Sequence, residues 1–344
     1  MLLVSIIIIT RNRPMLLSHC LRRVFDQQYP CKEIIVVDSS SDDETERLVA
    51  QYPEIVSVQL REQFNNMPQA RNEGIAVALG DIIAFIDDDA MVYPHWLEAL
   101  VDAYQDSTVG AVGGRIVTKP EPYCDLVSGT PNLSISRWGS VIADDVSVVN
   151  RDKIEVDHLI GCNMSFRRAA LEQVGGFDPE YTLTNLREET DVCFRVKRAG
   201  WRVLFVPEMT VVHVSVRSKK FFTERPGIQF SNGRNVAYFA VKHLGLSPRT
   251  LLGQIMDTGS AYGRAFYYAG LFVSGAMAQT VGRVVGIGVG MAWLVSSQRR
   301  KAAAPPISKR SRLMNKDKSS PDHAVQVGDD MQRQDTVLHM NSER

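Results

Sequence analysis

The sequence has no CxxC pair. Its five cysteines, Cys20, Cys31, Cys124, Cys162 and Cys193, are odd in number and scattered over 344 residues. That pattern speaks against a disulfide framework and against a cysteine zinc site, and it fits a reducing compartment. There is no excess of either charge: 39 Lys and Arg balance 39 Asp and Glu. Bulk charge therefore gives no reason to expect a nucleic-acid partner. The segment TRNRP (10–14), which follows the first apolar run, contains no glycine, so the Gly-rich phosphate loop of many nucleotide enzymes is missing. The N-terminal MLLVSIIIITRNR has no basic stretch ahead of its short apolar run, and Arg11 and Arg13 come after it. It reads as a buried β-strand rather than a signal peptide.

What is present alternates. VSIIIIT (4–10), KEIIVVDSS (32–40), VSVQLRE (56–62) and DIIAFID (81–87) read as strands. Between and after them, residues 14–28, 40–52, 67–79 and 94–106 read as helices, with Pro14 in the first turn of one and Ser and Asp caps opening another. This order predicts an α/β class and a mostly parallel sheet flanked by helices. The second half, to about residue 245, is less regular and is expected to be α+β.

Ligands of such sheets sit beyond the carboxyl ends of the strands. Polar groups gather there in this chain: Thr10, Arg11 and Asn12 after the first strand, Asp38 at the second, and Asp87, Asp88 and Asp89 at the fourth. Three adjacent carboxylates repel one another and are costly to desolvate, so a balancing cation is expected. Mg²⁺ or Mn²⁺ prefers oxygen ligands and takes one or two protein carboxylates plus substrate phosphates. Asp87 and Asp89 are the candidates.

Seven segments in order, VSIIIITRNRP, IIVVDSSSDDET, ARNEGI, FIDDDA, GCNMSFRR, GGFDP and EETDVCFR, resemble the family 2 inverting glycosyltransferases of GT-A fold. The resemblance covers about residues 3–240. It implies a divalent cation (Mn²⁺ or Mg²⁺), a nucleotide-diphosphate sugar donor and a glycan or lipid-linked acceptor, in cell-surface or extracellular polysaccharide or glycolipid assembly. It makes Asp89 a metal ligand, with Asp87, and either Asp87 or Asp88 the ribose and uracil-side contact. Thr10, Arg11, Asn12 and Asp38 fall in the nucleoside pocket, and Arg71 and Asn72 near the base and phosphates. Gly161 and Asn163 lie beside the donor sugar and acceptor, and His213 where a histidine completes the metal site in many members. Glu189 stands at the base position, where the family usually has aspartate; Glu188 and Asp191 are the alternatives. Trp96 and Trp201 are candidates for a sugar platform or for the core.

Rival readings are a nucleotidyltransferase, a haloacid dehalogenase-like phosphatase and a membrane-associated scaffold. The phosphatase motif wants threonine where Met91 stands, and a scaffold leaves the acidic motifs unexplained. Residues 1–245 are expected to form the GT-A domain, split into a nucleotide-binding half (1–115) and an acceptor and catalytic half (116–245). Residues 246–298 are expected to be helical and membrane-associated. Within them, 265–297 is apolar apart from Arg283, with Ser274, Ala278, Gly282, Gly286 and Gly290 at every fourth position, the small-residue spacing of close helix packing in membranes. The arginine leaves a spanning, re-entrant or interfacial helix open. Residues 299–344 read as a basic, disordered tail, with Arg299, Arg300, Lys301, Lys309, Arg310, Arg312, Lys316 and Lys318 against Asp317 near its start. The positive-inside tendency then places the chain at the cytoplasmic face of the plasma membrane.

Overall fold

A computed structural model describes residues 1–60, 66–118, 129–136, 141–143, 146–147, 152–214, 226–245, 247, 281, 283–289 and 291–292. The alternating first half appears as β1 (Val4–Thr10), α1 (Pro14–Phe25), β2 (Lys32–Asp38), α2 (Glu44–Val49), β3 (Ile55–Gln59), α3 (Met67–Val77) and β4 (Ile82–Asp87). The helices are shorter than their periodicity suggested. α2 loses most, because Ser40 and Ser41 are taken up by the loop after β1 before the helix begins.

The second half follows with β5 (Ala90–Val92), α4 (Trp96–Ala103), β6 (Val109–Val117), β7 (Leu133–Ile135), β8 (Val141–Ala143), β9 (Ile154–Glu155), β10 (Asn163–Arg167), α5 (Arg168–Val174), α6 (Glu188–Arg198), β11 (Arg202–His213) and α7 (Pro226–Leu244). Nine strands form one sheet in the order β3-β2-β1-β4-β10-β6-β11-β5, with β9 also on β11; β7 and β8 pair separately. The first four strands are parallel, as expected. Beyond β4 the sheet is mixed. β10 runs antiparallel to both β4 and β6, and β5 and β9 antiparallel to β11, while β6 and β11 are parallel. The mostly parallel expectation therefore holds for the first half only; beyond β4, antiparallel partners come from segments far apart in the chain.

Side-chain alternation along β1 explains the layers. Ile6 and Ile8 face α1, α2 and α4, packing with Leu17, Leu21, Val49, Trp96 and Leu100. Ile7 faces α3, α5 and α6, packing with Ala70, Ile75, Leu171, Val192 and Val196. A strand buried on both faces has to be a continuous apolar run, as IIII is. Local signals set the helix ends: Asn66 caps α3 by accepting from Gln69 N at 3.1 Å, and Gly175, at φ 78°, closes α5.

Candidate functional site

Parallel register aligns the strand ends. Thr10 pairs with Asp38, and Ile9 with Asp87, so the polar termini of β1, β2 and β4 lie along one edge. Asp88 and Asp89 form the two-residue turn from β4 into β5. β5 pairs with the end of β11, His213 opposite Ala90. A register shift in β11 between Val206 and Val211 redirects its last residues there.

The three aspartates diverge. Asp88 is buried: its Oδ2 accepts from Thr10 Oγ1 at 2.9 Å and its Oδ1 from Arg13 Nη1 at 3.0 Å. Burial pushes its pKa up to about 6 against the pull of Arg13 and Thr10. Asp89 Oδ2 accepts from the same Arg13 nitrogen at 3.1 Å, and its Oδ1 lies 3.0 Å from His213 Nε2. Burial alone would raise the Asp89 carboxyl, but the hydrogen bond and charge of His213, with Arg13, outweigh it and hold it below the usual carboxylate range. The same bond raises His213 despite its burial. Asp87 is raised by burial, with Arg71 opposing. One ligand atom each from Asp87, Asp89 and His213 can be chosen so that all lie within 4.8 Å of one another. Two carboxylates and an imidazole at that spacing fit a divalent cation that keeps further positions for phosphate or water.

Asp38 and Asn12 serve the neighbouring loops. Asp38 is buried and accepts from Ser40 N at 2.8 Å. Asn12, at φ 54°, donates its backbone N–H to Ser40 Oγ and accepts from Ser41 N, both at 2.8 Å. This stitches the loops after β1 and β2 together. Arg11 is exposed at the same strand end. Arg13 is the residue the sequence reading passed over: it touches both Asp88 and Asp89. The signal was a second cation in TRNRP, on the side of three carboxylates that needed one.

Below this edge lies Arg71, 1% exposed. One guanidinium nitrogen is in direct contact with Glu188, another is 3.7 Å from Asp87 Oδ1, and Nη2 donates to Gly161 O at 3.4 Å. Burial lowers its pKa against the charges of Asp87 and Glu189. In this structure the charge of Arg71, expected near the base and phosphates, faces the protein carboxylates Asp87 and Glu188. Glu188 is buried on it, whereas Glu189 beside it is half-buried.

Five more of the singled-out side chains already have protein partners. Asn163 is fully engaged, accepting from Trp96 Nε1 at 2.9 Å and donating to Arg115 O at 3.2 Å and Met209 O at 2.7 Å. Trp96, wholly buried, therefore belongs to the core, and Trp201 packs on Gly110 with its Nε1 on Gln173. Asn72 spends its amide on the Phe177 main chain, at 2.8 and 2.9 Å. Asp191, the alternative at the base position, is the most heavily bound of them. It is wholly buried and bound by Arg195, Lys242, His243 and Tyr181. These cations, led by Arg195, overcome its desolvation and hold its carboxyl well below the usual range.

Residues 5–175 match the model of glycosyl transferase family 2. A glucosyl-dolichyl phosphate glucuronosyltransferase of Haloferax volcanii is 28% identical over 204 residues, which is 57% of this chain and 63% of that protein. An O-antigen chain rhamnosyltransferase of Salmonella anatum is 26% identical over 184 residues, 53% of this chain and 56% of its own. The chain thus spans less than two thirds of the length of either relative. Among solved structures, a Pyrobaculum calidifontis mannosyltransferase in complex with GDP-Man and Mn²⁺ superposes with a TM-score of 0.52 at 19% identity, over 90% of this chain and 83% of that one. GalNAc-T7 with UDP, GalNAc and Mn²⁺ gives 0.56 at 16%, over 78% and 58%. At these identities the likeness shows the fold.

Proposed function

Residues 5–175 are a glycosyl transferase family 2 domain, and on that premise we propose that the chain transfers a sugar from a nucleotide-diphosphate donor to an acceptor hydroxyl with inversion. The carrying observation is the convergence of Asp87, Asp89 and His213 beside the first turn of α6, which bears Glu189. Asp87, Asp89 and His213 would hold Mn²⁺ or Mg²⁺. Held by these residues, a divalent cation would supply Lewis-acid stabilisation of the departing diphosphate's charge. Arg13 adds a fixed positive charge to the same carboxylates. Glu189 takes the proton of the acceptor hydroxyl as that oxygen bonds to the anomeric carbon and the carbon–diphosphate bond breaks. Of the three acids considered for this role, only Glu189 is neither buried nor, among the described residues, bound by a cation in direct contact.

We assign residues 1–245 to the transferase domain. Its acceptor is a glycan or lipid-linked sugar, in line with the names of the relatives. Among the described residues, no helix is long and apolar enough to cross a membrane. The described helical residues 281, 283–289 and 291–292 pack one edge against the domain: Gly286 abuts the Arg234 carbonyl, and Val289 the cluster of Tyr181, Tyr238 and Phe239. The other edge exposes Val281, Val284, Val285 and Met291. Most of 246–298, including Ser274, Ala278, Gly282 and Gly290, and all of 299–344 lie outside the described residues. The exposed edge, followed in sequence by Arg299, Arg300 and Lys301, supports peripheral contact with the anionic cytoplasmic leaflet. The reading predicts binding to anionic and not neutral vesicles, lost when Val284 and Val285 become Glu; equal binding to both vesicle types counts against it.

Calorimetric titration with UDP, GDP and dTDP, with and without Mn²⁺, tests the transferase itself. Metal-dependent binding of a nucleotide, absent in Asp89→Ala, is expected. Failure of all three to bind with metal present would overturn the proposal.

A further inference from the structure

α6 starts without the usual support. Its N-cap, Arg187, has φ 79° and makes no side-chain capping bond. The loop before it also holds Leu183 and Asn185 at positive φ, three non-glycine residues in a region that L side chains rarely adopt. Asn185 O and Arg187 O receive the Glu188 and Asp191 amides, at 3.2 and 2.8 Å, and Asp191 ties the turn to α7 through Lys242 and His243. This turn carries the base of the proposed reaction.

A second lateral anchor, on the side of the donor carboxylates, comes from α3. Arg71 is held from every side: Phe85 and Phe177 flank the guanidinium at 5.7 and 5.4 Å, and Gly161 leaves the space where a Cβ would stand 3.1 Å from Nη2. It reaches Glu188 in α6 and Asp87 at the end of β4 at once. Its Nε and Glu188 Oε2 have no hydrogen-bond partner among the described residues, a costly arrangement that only the shared charge offsets.

We propose that Arg71 is a positioning residue: it ties Asp87 to Glu188 and so sets where Glu189 stands relative to the donor carboxylates. Arginine suits this task because its planar fork serves two acids from one buried point, whereas lysine offers a single compact charge. The kinetic part of this inference rests on the transferase reading; the structural part does not.

The test uses Arg71→Lys and Glu188→Gln in the full chain. Amide hydrogen exchange of peptides covering 187–192 is expected to speed up at least tenfold in both, while peptides from β1 and β4 keep wild-type rates. With donor and acceptor, kcat is expected to fall at least thirtyfold in both variants, with the donor nucleotide's affinity within threefold of wild type. Glu188→Gln leaves Arg71 in place and keeps the test open should Arg71→Lys fold poorly. Exchange within twofold of wild type at 187–192 in both variants would overturn the proposal. So would a tenfold loss of nucleotide affinity with kcat preserved, since Arg71 would then serve the donor directly. Should wild type bind no nucleotide, the transferase reading fails, and the exchange rates still decide whether Arg71 anchors α6.

Discussion

His213 Nε2 lies 3.0 Å from Asp89 Oδ1 across 124 residues of sequence. A carboxylate only accepts, so Nε2–H donates, and each partner favours the charged form of the other. A cation entering between Asp87, Asp89 and His213 has to take the place of that proton. We therefore expect His213→Ala to weaken Mn²⁺ binding by about tenfold or more, as lost ligands and their supports commonly do, and Asp89→Ala to abolish it. Electron paramagnetic resonance of Mn²⁺ measures both. Unchanged affinity in His213→Ala would remove histidine from the site.

Glu189→Gln keeps the shape of the side chain and removes the base. Turnover should fall by about 10²–10⁴-fold while Mn²⁺-dependent nucleotide binding stays at wild-type strength. Glu189→Asp shortens the reach by one methylene and places at 189 the residue usual in the family, so it should retain more turnover than the glutamine variant. Equal loss in both would show that position 189 does not handle the proton.

Asn163 and Trp96 make the opposite case. Asn163→Leu leaves the Trp96 indole N–H without its acceptor and the Arg115 and Met209 carbonyls without their donor. Each buried group so stranded costs about 1–3 kcal/mol. The variant should melt well below wild type in chemical denaturation and, where folded, bind nucleotide as tightly. Weaker nucleotide binding without loss of stability would return Asn163 to the site.

These contrasts show what the sequence made legible. The apolar run IIII and the aspartates beyond FI placed β1, β4 and the polar edge, because a strand buried on both faces and its polar end are local patterns. The mixed half of the sheet was hidden, since β10 pairs with β4 and β6 through residues far apart in the chain. Side-chain roles divided on the same line. Asp89 and His213 were found by motif. Asn163, Asn72 and Asp191 have the right chemical type but are bound by partners 46 to 105 residues away, or, for Asp191, by α7. Arg13 was missed because its role depends on where the β4 turn comes to rest.

The Asp191 network makes stability depend on pH in a definite direction. Asp191 joins α6 to α7 through Lys242 and His243, and Lys242 also grips Asp178 at 2.6 Å. The folded chain depresses the His243 pKa, chiefly by burial, from the ordinary 6.5, and holds Asp191 well below 3.8. A depressed folded pKa adds stability that is present above the unfolded value and is lost as pH falls towards the folded one. His243 therefore contributes stability that is lost below pH 6.5 as the unfolded residue gains its proton, and Asp191 stability that is lost below 3.8. Asp88 and Asp87, raised by burial, act in the opposite sense on acidification. His243→Gln should flatten the first fall. Asp191→Asn takes the carboxylate from Arg195 and leaves Lys242 with Asp178, costing up to about 3–5 kcal/mol near neutral pH, and should flatten the second. Urea titrations from pH 8 to 4 measure the first fall, and extension to pH 3 the second. A wild-type advantage over His243→Gln that grows on acidification from pH 6.5 would contradict the assignment of His243 as a histidine kept neutral by burial.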